Sequence, residues 1–415
     1  MEIMLALSLM IFFTISTFTL TSSVQELKVW SLKELEKLKI AVRSADEFEG
    51  STEFEYYGND TKQFLIDPFV LNYSDYAEAW GRNSCYPRLK FDVDKAIYFP
   101  VGVNIGSGNT STDIEARNGI VYLTADSTSS SQKDFFIIDT NEPTSPNIIS
   151  SINTGPGLSA LEVAGPYIFA AQASSVNQLQ VVDIYNRNSP QLISQLKLPL
   201  PTPTTTAPFA TSIFYSRGYV YLGTEKWNGP EFAIIDVSNV YDPQVVGTFE
   251  ANTLVSDIYV RDSAAYLATA DSMQMRLLDI SQPTDPFLIS SFSPTGWQTQ
   301  TGKSLEYFEG QLGFGRTVGG FNVPANHEAF VFHEDDLQAS KDVPGGVYGM
   351  LIRPENIFLL THKEGEEFQI WDRLLTEKIQ NIPLEVKPPK MSCDGSSIFF
   401  ATGDAGGLTQ LKLNE

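Results

Sequence analysis

Phe-Phe-Ile-Ile-Asp at 135–139, Leu-Gln-Val-Val-Asp at 179–183, Phe-Ala-Ile-Ile-Asp at 232–236 and Met-Arg-Leu-Leu-Asp at 275–279 are one motif written four times. Looser copies read Ala-Phe-Val-Phe-His at 329–333, Phe-Gln-Ile-Trp-Asp at 368–372 and Leu-Thr-Gln-Leu-Lys at 408–412. Their last residues step by 44, 53, 43, 54, 39 and 40 positions. A repeat of about 40–50 residues around a short apolar strand is the period of a four-stranded propeller blade. Seven copies predict a mainly β chain, a seven-bladed ring of antiparallel blades.

Reading outward from the second copy gives a whole blade. Ser159–Gly165 is its inner strand, Tyr167–Gln172 the second, Gln178–Ile184 the third and Gln191–Leu198 the outer one. Each strong motif ends in Asp, and a polar turn with Pro follows: Pro143, Pro190, Pro243 and Pro286. Asp bonds its own backbone in tight turns and Pro presets φ, so Asp139, Asp183, Asp236 and Asp279 read as turn formers, not catalysts. The order of apolar strand, Asp, Pro turn and second apolar strand resembles the LVIVD repeat of bacterial surface propellers. It differs from WD40 repeats, because Trp371-Asp372 stands alone.

The last copy supplies three strands, Met391–Asp394, Ser397–Thr402 and Gly407–Leu413. An open sheet edge is a liability, so the segment 95–103 (Lys95 to Val103) is expected to close the ring as the outer strand of the last blade. The same closure would bring Cys85 toward Cys393. These are the only two cysteines, and a disulfide between them would clasp the seam.

The N-terminus reads differently. Ile3 to Leu20 carries no charge, and about 18 such residues make a helix of roughly 27 Å, near the thickness of a bilayer core. No basic residue precedes the run and no Ala-x-Ala site follows it, which favours a membrane anchor over a cleaved signal. Residues 24–44 continue without Gly or Pro, with Leu35, Leu38 and Val42 on one face, as an amphipathic helix suited to packing on copies of itself. Met1-Glu2-Ile3-Met4-Leu5-Ala6-Leu7 resembles the start of type IV pilins and type II secretion pseudopilins, although the basic leader ending in Gly is missing. That resemblance implies a filament-assembly role for Glu2. Residues 45–94 are acidic and aromatic-rich, expected as short strands and turns connecting the 1–44 helix to a 95–415 propeller.

Net charge is −22 with pI about 4.5, which argues against a nucleic-acid partner. There is no Gly-x-Ser-x-Gly, Walker loop or His-Glu-x-x-His. No catalytic residue, metal or cofactor is assigned. Longer connections fall at Leu200–Phe209, Lys226–Glu231, Ser293–Gly302 and Arg316–Glu328. All belong to the face that carries the second-to-third and outer-to-inner loops, and variable loops on a rigid scaffold are where binding usually resides. Phe209, Trp227, Trp297, Phe321, Asn326 and His327 are the candidate ligand contacts. The expected protein is an inner-membrane-anchored, extracytoplasmic or cell-surface propeller. It would act as a pilin-like filament subunit or adhesin for a protein or carbohydrate ligand. An exported hydrolase or lyase, and a periplasmic protein-interaction scaffold, are the alternatives.

Overall fold

The structure is a computed structural model that describes residues 64–66, 69–71, 84–85, 96–100, 102–127, 131–202, 206–294, 300–318, 327–333, 336–403 and 407–413. The chain divides into Met1–Ala79 and Trp80–Glu415. In the first unit the described residues form one hairpin, Phe64–Ile66 antiparallel to Phe69–Leu71. The anchor expected over Ile3–Leu20, the helix over 24–44 and Glu2 lie outside the described residues. Among the described residues no helix is long and apolar enough to cross a membrane.

The second unit holds seven sheets in chain order. Blade 1 runs Asn109–Arg117, Ile120–Ser127, Phe135–Asp139 and Asn147–Ile152; blade 2 runs Leu158–Ala164, Tyr167–Gln172, Leu179–Asp183 and Gln191–Leu196. Blade 3 is Ala210–Ser216, Tyr219–Thr224, Phe232–Asp236 and Gln244–Phe249; blade 4 is Val255–Arg261, Ala264–Thr269, Met275–Asp279 and Phe287–Phe292. Blade 5 is Gly302–Phe308, Gln311–Arg316, Ala329–His333 and Asp336–Lys341; blade 6 is Gly349–Ile352, Asn356–Leu360, Phe368–Asp372 and Lys378–Ile382. Blade 7 takes Met391–Gly395, Ser397–Ala401 and Leu408–Lys412 from one end of the ring, and Ile97–Phe99 pairs with the last of these as Tyr98 opposite Leu411.

Local chemistry explains the blade. The first hairpin turns where Asn118 and Gly119 both take positive φ, 60° and 69°, the type I′ geometry that matches strand twist. The third strand is buried on both faces, so it reads as a continuous apolar run instead of an alternation. Phe136 and Ile138 pack toward blade 7 with Phe399 and Leu408, whereas Phe135 and Ile137 pack toward blade 2 with Leu161 and Ile168. Each blade thus serves two cores. The Asp that ends the motif accepts the backbone N–H two residues on: Asp183 from Tyr185, Asp236 from Ser238 and Asp279 from Ser281, each at 2.8 Å. These are Asx turns.

The inner strands carry a second repeat. In blades 1 to 5 the pairing with the second strand skips one residue: Thr112, Ser159, Thr211, Ser256 and Lys303. Such a β-bulge re-aims its side chain. In the first four blades the bulged hydroxyl donates to the next blade. Thr112 bonds Leu158 O at 2.7 Å, Ser159 bonds Ala210 O at 2.7 Å, Thr211 bonds Val255 O at 2.6 Å, and Ser256 bonds Gly302 O.

Candidate functional site

Acidic inner-strand residues extend the interblade ties toward the axis. Asp113 accepts Leu161 N–H at 3.0 Å, Glu115 accepts Val163 N–H at 2.6 Å and Asp257 accepts Leu305 N–H at 2.8 Å. Glu115 also pairs with Arg117, and Glu306 pairs with the buried Arg353 at 3.4 Å. These carboxylates are therefore committed to the scaffold. They line the central channel together with Ser304, Tyr348 and Lys390.

The lower part of the channel holds an extra strand. Ser84–Cys85 runs parallel beside Met391–Gly395, on the side away from the rest of blade 7. Cys85 is bonded to Cys393, with Cα atoms 5.1 Å apart. Arg353 lies against this bridge, with Nη2 2.8 Å from Cys85 Sγ, and stacks over Phe308 at 4.8 Å.

The upper mouth is where the hydroxyl repeat breaks. Lys303 takes the bulge position in blade 5. Gly349 opposes Leu360 as Ser304 opposes Gly315, which places Tyr348 at the same position in blade 6. Neither residue can continue the short hydroxyl tie. Lys390 of blade 7 crosses the channel to Asp257 of blade 4, Nζ to Oδ1 3.5 Å. Blades 4 and 7 are three apart in a ring of seven, so this pair spans the opening.

Lys303 has no hydrogen-bond or ion-pair partner among the described residues. Burial and the like charge of Lys390 hold its ammonium below the ordinary lysine range, against the pull of Asp257. Next to it, Ser304 Oγ is buried without a partner. Tyr348 stacks on His362 with ring centroids 3.4 Å apart. His362 Nε2 donates to Pro388 O at 3.0 Å. Burial pushes this imidazole toward its neutral form, helped by Lys387 and Lys303, while the bond to Pro388 opposes. Among the described residues no three His, Cys, Asp or Glu converge as a metal site.

Of the residues expected from loop length, Phe209, Trp227 and His327 are among those described. Phe209 is 45% exposed and its N–H donates to Glu225 Oε1 at 3.1 Å. Trp227 folds back on its own loop, with Nε1 donating to Pro230 O at 3.0 Å. His327 Nδ1 is 2.5 Å from Ser340 Oγ, on blade 5. No hydrogen bond or ring contact joins these three to one another. Trp297, Phe321 and Asn326 lie outside the described residues. Lys303, Ser304, Tyr348 and Lys390 lie on the same loop face, but at its centre. They escaped the sequence reading because their signal is a departure from a bulge register that a sequence does not display.

Residues 129–154, 159–197, 209–251 and 255–293 match the LVIVD repeat. The chain thus carries LVIVD repeats in blades 1 to 4, within a seven-bladed β-propeller. No curated protein matches it. Solved propellers share its fold at low identity. A catalytically inactive virginiamycin B lyase from Staphylococcus aureus, with quinupristin, is 12% identical over 77% of this chain and 99% of its own, at a TM-score of 0.55. A candidate 6-phosphogluconolactonase from Bacteroides fragilis is 11% identical over 67% and 85%, at 0.54. The computationally designed protein Ika8 is 11% identical over 74% and 99%, at 0.51. At these identities the likeness is of fold alone.

Proposed function

We propose that this protein is an exported ligand-binding propeller whose recognition site is the upper mouth of its central channel. One observation carries the proposal. The interblade hydroxyl repeat holds through Ser256 and then gives way to Lys303 and Tyr348, beside a cavity lined by Tyr348 and Lys390. Ring symmetry that is broken on one side, at polar groups without scaffold partners, is what a binding site on a repeat scaffold requires. Export is supported by the Cys85–Cys393 bond, since disulfides persist in oxidising compartments. From the N-terminal sequence the proposal takes an anchor over Ile3–Leu20 and extracytoplasmic display. The filament or adhesin role through Glu2 has no support in the propeller.

A hydrolase or lyase is the second reading. It is favoured by Lys303 and His362 at one mouth, residue types that serve as general acids and bases, with burial disfavouring the charged form of each.

The test is a ligand-observed NMR screen with a fragment set of neutral, cationic and anionic compounds. Gly349 lines the cavity, and a side chain there would meet Leu360 and Met391 at 3.3 Å, within reach of adjustment. Binding is expected in the native protein and lost in a folded Gly349→Phe variant. Absence of any hit, or hits indifferent to that change, would refute the mouth as the site.

A further inference from the structure

We propose that the outer flank between blades 4 and 5 is a docking surface for a segment of another protein, an apolar stretch with lysine or arginine on either side. It is separate from the channel mouth and rests on the rim of the ring alone.

The outer strands of blades 1 to 4 share a bulge, at Ile149, Ile193, Val246 and Ile289. In blades 1 to 3 that residue is half-buried and packs on the core shared with the following blade. The connector from third to outer strand of the following blade leans on the same place. These connectors are 184–190, 237–243 and 280–286. Ser150 Oγ donates to Arg187 O at 2.6 Å, Ser194 Oγ donates to Val240 O at 2.5 Å, and a side chain on Gly247 would strike Pro283 O. Each acceptor is the fourth residue of its connector. Blade 4 has no such cover, because blade 5 joins Ala329–His333 to Asp336–Lys341 through two residues only. Ile289 is 54% exposed, and Phe287 and Leu288 before it are exposed too. The hydroxyl of Ser290, at the position of Ser150 and Ser194, makes no hydrogen bond among the described residues. Across the gap Leu337 is 48% exposed, where its counterpart Ile148 in blade 1 packs toward the preceding blade.

A missing connector does not by itself make a docking surface. Blade 7 lacks one as well, since its outer strand comes from Ile97–Phe99, and the bulged Ile379 of blade 6 is 45% exposed. That strand reads Lys-Ile-Gln-Asn-Ile, the charged and polar edge by which sheets stay solvated. The strand of blade 4 reads Phe-Leu-Ile-Ser-Ser-Phe, and no charge occurs from Pro286 to Gly302. An apolar edge of this kind is a liability unless a partner covers it. Charge selects the partner. Exposed Asp285 precedes one outer strand and exposed Asp336 begins the other, and the two joining residues, Glu334 and Asp335, are acidic in sequence. Lys341 sits at the far end of its strand, over the Trp371 ring of blade 6 at 5.1 Å. Acids flanking an uncharged strand favour a segment with basic flanks. A second copy would bring the same acids and a net charge of −22. The free edge of Phe287–Phe292 and the Ser290 hydroxyl offer an incoming main chain the bonds that connectors make on blades 1 and 2.

Fluorescence anisotropy of the full chain with two labelled peptides tests this. Both carry the core Val-Ser-Asn-Val-Tyr, the sequence of the blade 3 connector at 237–241. One is flanked by lysine pairs, the other by glutamate pairs. Saturable binding of the lysine peptide is expected, with the glutamate peptide about tenfold weaker. Ile289→Ser should weaken the lysine peptide about tenfold through the lost apolar contact, whereas Ile379→Ser on blade 6 should change nothing. Replacing Glu334-Asp335 by the connector sequence Val237–Pro243 covers the flank from within and should abolish binding. The inference is overturned if the lysine peptide does not saturate or if the glutamate peptide binds as well. It is equally overturned if Ile289→Ser or the connector replacement binds as the native protein does. Sedimentation velocity decides the remaining occupant: a dimer that Ile289→Ser dissociates would give the flank to a second copy and overturn the basic partner.

Discussion

In blades 1 to 6 the residue just before the third strand is a buried acid or amide: Asp134, Gln178, Glu231, Gln274, Glu328 and Glu367. Five of them accept backbone N–H groups of the chain leaving the outer strand. Glu231 takes those of Ala251 and Asn252 at 3.0 and 2.8 Å, and Glu328 takes that of Val343 at 2.8 Å. The loops are pinned to the blade by these side chains. A polar letter stands ahead of the first six apolar motifs in the sequence, yet its role needs the fold, because the partner lies 15 residues away for Glu328 and up to 21 for Glu231. Burial pushes the Glu328 carboxyl up to about 7, and Asp134 up to about 6. Between the ordinary carboxylate value and these, the folded state holds protons that the unfolded chain has released. Folding is therefore favoured at the acid side of the window, and this contribution fades as pH rises from about 4.5 to 7. The thermal midpoint should fall across that range, and Glu328→Gln should flatten the fall. A midpoint with the same slope in the variant would exclude Glu328 as its source.

At the scale of the strand, four third strands were legible at once because both faces are buried and the Asx turn fixes their end. The later copies blur for a physical reason. His333 replaces the turn-forming Asp, and Asp372 instead accepts Thr376 and Glu377 N–H in a wider turn. The bulged inner strands were not legible, since Thr, Ser and Lys at one register position share no apolar signature. Their hydroxyls are the ties between neighbouring blades. Ser256→Ala, which removes the tie to Gly302 O, should cost about 1 kcal/mol. The loss should be read in urea unfolding, with amide exchange faster at the border of blades 4 and 5. An unchanged border would show that packing alone holds those blades. The residues proposed for the mouth, Lys303, Tyr348 and Lys390, fall outside the four clear repeats, in the blades where the consensus lapses.

At the largest scale the propeller is held shut at one sheet made from two distant parts of the chain. Ile97–Phe99 joins Leu408–Lys412, Gly119 N–H donates to Asp394 Oδ2 at 2.7 Å, and Ala116 N–H donates to Ser392 Oγ at 3.0 Å. The Cys85–Cys393 bond spans 308 residues of sequence. Replacing both cysteines by Ser should lower stability by about 2–5 kcal/mol, read by urea unfolding. Exchange should quicken first along 97–99 and 408–412; uniform quickening around the ring would mean that the bond does not act at the seam. This joint also sets a timetable for biogenesis. At about 5–20 residues per second, synthesis leaves roughly 15–60 s between the two cysteines. For that time Val121, Leu123, Phe136 and Ile138 lack the facing residues Phe399, Ala401 and Leu408. The earliest blade to emerge is thus the last to gain its neighbour, and its apolar flank waits longest for native cover.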